Sequence, residues 1–165
     1  MIIFRIALYL PTMTKQIEII KKTRVSLLEL VKDLTVEQLN KIPDGFNNNI
    51  IWNLAHMIAA QQGVCYVRAG LAPVTGEGFV SMFRSGTKPE GFVIDAGISE
   101  IKDLMFSTLE QLEIDYANNL FANYTAWTTR YDVELANIDD AINFLPFHEG
   151  LHFGYMMAMR RVVSL

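Results

Sequence analysis

Ile17, Ile20, Leu27, Val31 and Leu34 recur at helical spacing, which predicts an amphipathic helix from about Thr14 to Leu34. Thr14 suits its cap, and Pro11-Thr12-Met13 breaks it from the apolar run before it. "DLTVEQL" offers a second cap at Thr35 and a short helical turn, and Pro43-Asp44-Gly45 reads as a tight turn. A second helix is expected from about Asn48 to Gly70, with Ile51, Ala55, Ile58 and Cys65 on one face and Gly70 as its C-terminal cap. From Leu71 to Gly97 the helical period disappears. Gly76, Gly78, Gly86 and Gly91, with Pro73 and Pro89, mark a long loop. Loops of that length in compact domains are often lids or pocket walls, and Phe79, Val80, Met82 and Phe83 would tie this one to the body.

Ser99 reads as the cap of a third helix, without a capping box because Lys102 stands where Glu or Gln is needed. Ile101, Leu104, Met105, Leu109, Leu112 and Tyr116 form its stripe. "NYTAWTTRYDVELANI" reads as a partly extended crossover, and a fourth helix runs from about Asp139 to Val163. Pro146 inside it predicts a kink or a fresh helix start. Four long amphipathic helices with one long crossover predict an all-α four-helix bundle.

The chain has 165 residues, of which 51% are hydrophobic and 19% charged, as in one globular domain. Its boundaries are read as a short arm or upstream start at 1–12 and the bundle at 13–165. The apolar run at the start is interrupted by Arg5, too short to span a bilayer and poor as a signal peptide. A cytoplasmic protein is expected, with no membrane partner. The net charge of −4, without a Lys/Arg stripe, argues against nucleic acid. Cys65 is the single cysteine, so no internal disulfide can form, and it reads as a small core residue. Exposed helical faces leave room for a homodimer.

Composition does not reveal chemistry; the histidines do. "HEGLH", His148 to His152, fits the H-E-x-x-H pattern of zinc peptidases. On a helix the two imidazoles share a face one turn apart and can hold one metal. Those peptidases take their third ligand downstream, but "FGYMMAMRRVVSL" after His152 holds no His, Asp, Glu or Cys. A third ligand must come from upstream, where His56 is the one remaining histidine. Three imidazoles would suit Zn²⁺, Ni²⁺ or a similar divalent ion. The plain alternative also stands: an i,i+4 histidine pair is a weak signal, and a buried histidine is more often simply hydrogen-bonded. Glu149 is a weak candidate for a general base, and a solvated charge is the plainer reading. Asn53 could orient a ligand or be a helix-edge amide. Trp52 and Tyr155 read as core or pocket lining. Arg160 and Arg161 suit the end of the last helix and could draw in an anion.

"NNIIWNLAHMIAAQQ" and "FHEGLHFGYMMAMRR" together resemble the DinB/YfiT-like superfamily of metal-dependent enzymes, in element order from Met13 onward. The resemblance implies a four-helix bundle holding a divalent metal on His56, His148 and His152. It also implies thiol chemistry, since members include transferases that use low-molecular-weight thiols such as bacillithiol or mycothiol, and a mycothiol-dependent isomerase. A divalent cation lowers the pKa of a thiol or of water. The expected activity is a thiol S-transferase acting on a small electrophile. A metal-dependent hydrolase and a non-catalytic metal-binding stress-response module are the alternatives.

Overall fold

A computed structural model describes residues 14–164; the expected arm at 1–12 lies outside them. The first helix, α1 (Thr14–Val31), begins at Thr14 and stops short of Leu34. In α2 (Val36–Asn40) Thr35 forms a full capping box with Gln38, side chain to backbone in both directions. Asn49 caps α3 (Ile50–Gln61) by accepting from the Trp52 N–H. Instead of running unbroken to Gly70, α3 loosens into a π-turn (Gln62–Tyr66) and tightens into a 3₁₀ turn (Val67–Ala69). Gly70 then ends it at φ 71°, the left-handed conformation its missing side chain permits.

The long connection contains a helix that the glycine-rich pattern concealed, α4 (Glu77–Phe83). Phe79 and Phe83, one turn apart with rings 4.9 Å from each other, are its apolar face, and both pack on the core. Met82 points away and is exposed. Asn40 holds the segment that follows, accepting from Val93 N–H at 2.7 Å and donating to its carbonyl at 2.9 Å.

The next helix, α5 (Asp95–Ala117), starts four residues before the expected cap at Ser99. Gly97 is not a breaker there: a Cβ on it would lie 2.9 Å from Val93 Cγ1, so it allows a close approach. The crossover folds into a short antiparallel hairpin, β1 (Trp127–Thr128) with β2 (Glu134–Leu135), pairing Trp127 with Leu135. Last comes α6 (Ile138–Val163), capped by Asn137. Pro146 lies inside it without forcing a fresh start. Asp139 and Asp140 in the first turn and Arg160 and Arg161 in the last complement its dipole.

The fold is therefore all-α with one small hairpin. Four long helices form the body: α1 packs on α5 and α6, and α3 packs on the same two. The core falls into two apolar clusters. Leu27, Leu54, Ile58, Met105 and Met156 belong to one, and Ile20, Leu109, Ala141 and Leu145 to the other. No described helix is long and apolar enough to cross a membrane.

Candidate metal site

Almost every face of α3 is covered, which explains its apolar sequence and buries His56 to 6% exposure. One turn earlier, Trp52 stacks on the His56 ring at 4.7 Å and 7°. From α6 come His148 and His152, one turn apart, with ring centroids 4.7 Å from each other. The His56 ring lies 5.3 Å from His148 and 4.7 Å from His152. One ring nitrogen from each of the three falls within 4.8 Å of the others. Three nitrogens at that spacing could hold one metal ion.

Hydrogen bonds settle which nitrogens remain free. The carbonyl of Phe83 can only accept, so His56 Nδ1, 2.7 Å away, carries the proton and donates. Its Nε2 keeps a lone pair. Asn53, one turn before His56, donates Nδ2 to the Asn49 carbonyl at 2.8 Å and to Asn48 Oδ1 at 3.1 Å. That turns Asn53 Oδ1 toward His152 Nδ1 at 2.9 Å, so this ring also carries its proton on Nδ1 and leaves Nε2 bare. His148 Nδ1 is buried with no partner among the described residues. His56 and His152 are thus held as metal-ligating histidines ordinarily are, with the far N–H donated to an oxygen. Asn53 is thus a fully buried positioning residue, not a helix-edge amide.

Burial pulls all three imidazoles toward the neutral form. His148 and His152 are each lowered to about 3, first by burial and then by neighbouring imidazoles and the charge of Arg130. His56 is also lowered by burial, against the opposing hydrogen bond to Phe83. At neutral pH the cluster therefore presents lone pairs rather than protons, as a cation requires.

Residues 19–156 match the family description DinB superfamily, a span that includes all three histidines. The chain belongs to the DinB superfamily. No curated protein matches it.

Within this DinB-superfamily chain, Glu149 is not the solvated charge that its type suggests. It is 1% exposed, buried in the body of the helices. Arg24 of α1, itself 0% exposed, donates Nε and Nη2 to Glu149 Oε1 at 3.0 and 2.6 Å, and Nη1 to the Met105 carbonyl at 2.6 Å. Burial pushes the Glu149 carboxyl above its ordinary value while the Arg24 charge pulls it down. The pair lies between the two apolar clusters. Its Oε1 is committed to Arg24, a partner that the motif alone does not reveal.

A cavity of about 720 Å³ opens beside the histidines, with His56 and His148 in its wall. Val80 of α4 and Tyr131 of the hairpin also line it, so the long connection forms a pocket wall. Gly63 and Val64 of the π-turn face the same space; such turns are frequent at functional sites because they displace the backbone locally. Trp52 lies in the core, whereas Tyr155 is 37% exposed and packs its edge on Phe46.

Cys65 is fully buried, and burial pushes its thiol up to about 12. It is expected to stay unreactive toward 5,5′-dithiobis(2-nitrobenzoate) in the native protein and to titrate fully once unfolded. Fast labelling of the native state would contradict this packing.

Proposed function

We propose that this DinB-superfamily protein holds one divalent ion, zinc or nickel, on His56, His148 and His152 and is a thiol S-transferase for a small electrophile. The observation that carries the metal reading is the converging set of three neutral imidazoles, two with Nδ1 committed elsewhere and the third with a buried ring nitrogen lacking a partner among the described residues. When bound, a divalent cation would supply Lewis acidity that favours the thiolate form of a thiol at neutral pH. The chain supplies the rest. Phe83 and Asn53 fix the ring orientations, Trp52 covers one face of His56, and the cavity gives a small molecule its place.

A hydrolase reading ranks below the transferase. No aspartate or glutamate among the described residues lines the cavity, so there is no carboxylate to take a proton from water. Elemental analysis of the purified protein, followed by a screen pairing low-molecular-weight thiols with small electrophiles, tests the proposal. About one metal per chain with thiol-dependent turnover supports it. Metal without turnover on any pair ends the transferase reading and leaves the hydrolase and the non-catalytic binding module, and absence of metal ends all three.

Asn53→Ala is expected to weaken metal binding about 10- to 100-fold, the usual cost of losing a ligand's outer hydrogen bond. Competition against a chromogenic chelator reads this directly. Unchanged affinity would mean that His152 does not depend on Asn53 for its orientation.

A further inference from the structure

Three arginines reach the cavity from three separate segments. Arg68 lies in the 3₁₀ turn after α3, Arg84 at the end of α4, and Arg130 between β1 and β2. No acidic side chain among the described residues lines the cavity with them. The ion pairs among the described residues, Lys15–Glu18, Lys21–Glu113, Arg24–Glu149 and Lys32–Glu29, involve none of the three. This happens in a chain where acids outnumber bases, 18 to 14. Gathering like charges in one concavity costs repulsion and raises the local concentration of anions.

Two of the three are held in place without being neutralised. The Arg68 guanidinium lies over the Trp127 ring at 4.3 Å. Arg130 donates Nη2 to Tyr131 Oη at 2.9 Å and sits 5.1 Å from that ring's centre. Aromatic contacts of this kind order a guanidinium while leaving its charge and several N–H groups available. Much of the rest of the cavity wall is small or apolar: Ala59, Ala60, Gly63, Val64 and Phe144 line it.

We infer that the cavity takes a small organic anion, its carboxylate or phosphate held by Arg68, Arg84 and Arg130 and its apolar body lying toward His56 and His148. The inference deepens the proposed function by naming the substrate class of the same cavity. Planar guanidinium groups suit either oxyanion because both present paired oxygens at matching spacing.

Calorimetric titration with phenylacetate, phenyl phosphate and the neutral phenylacetamide tests it, on the protein as purified and again after chelator treatment. At least one anion should bind tenfold or more tightly than the amide, and the stronger of the two identifies the headgroup. The preference should survive chelation and drop at least fivefold in Arg130→Gln and in Arg68→Gln/Arg84→Gln. All three side chains are exposed, and circular dichroism checks that the variants fold. Equal binding of acid and amide would overturn the inference. So would a preference that disappears with chelation, or one that persists in both arginine variants. Metal content is measured separately: an anion preference in a metal-free protein ends the metal reading alone, and a metal-loaded protein without the preference ends this inference alone.

Discussion

Glu149→Gln is expected to destabilise the fold by about 3–5 kcal/mol, without touching the chemistry of the cavity. The change keeps shape and removes charge. It leaves the Arg24 guanidinium, 0% exposed, facing a neutral amide deep between the two apolar clusters. An uncompensated buried charge is among the most costly single defects, whereas replacing both members by apolar residues of similar size is often neutral. The Tm should therefore fall by on the order of 10 °C in Glu149→Gln, and Arg24→Leu/Glu149→Leu should recover most of the loss. Urea denaturation of the three proteins decides the matter. A single variant within about 1 kcal/mol of the parent would show that the pair is not held as ions. Retained stability with abolished turnover would restore the peptidase-like role for Glu149 that its motif suggests.

The clue to this pair lay in the apolar stripes. Ile17, Ile20, Leu27 and Val31 leave one vacant core slot on α1, and Arg24 occupies it. On α6, Glu149 falls one turn after Leu145 and two turns before Met156, also on the inward stripe. A charged residue in each of two inward positions signals a buried pair. Helical period alone cannot say which helices face each other, so the partner stayed hidden. The same limit applies to Asn53. On α3 every side is inside, so periodicity gives no outward edge against which to judge a polar residue.

Local signals fared better where a single segment contains the whole cause. The Thr35 cap, the Gly70 terminus and the four-residue spacing of His148 and His152 are of this kind. The helix α4 was missed because seven residues beginning after Gly76 offer only one turn of apolar spacing. The π-turn has no sequence mark; two of its residues, Cys65 and Tyr66, seat in the second cluster. The convergence of His56 with the α6 pair was legible only by elimination and resemblance, since His148 lies 92 positions after His56 and local pattern carries nothing across that distance.

His152→Ala is expected to abolish metal occupancy while the helices persist. The ring lies at the partly exposed side of the cluster, so its removal leaves no unpaired charge and only a small gap. Two imidazoles hold a divalent ion far more weakly than three, and elemental analysis after desalting should find the variant nearly empty. A second readout follows from burial. In the metal-free protein His148 and His152 are lowered to about 3 from an ordinary 6.5. As pH falls, the unfolded chain then takes up protons before the folded one does. Stability is therefore lost below pH 6.5 and stops falling only near the folded value, at a cost of about 2 kcal/mol per histidine by roughly pH 5. Removing His152 takes away one such penalty and relieves His148 of a neighbour that opposes its protonation. Chelator-treated His152→Ala should thus show a shallower acid limb in urea denaturation between neutral pH and about pH 5 than the chelator-treated parent. Full metal occupancy in the variant would remove His152 from the site. Superimposable acid limbs would show that the ring is not held neutral by its surroundings.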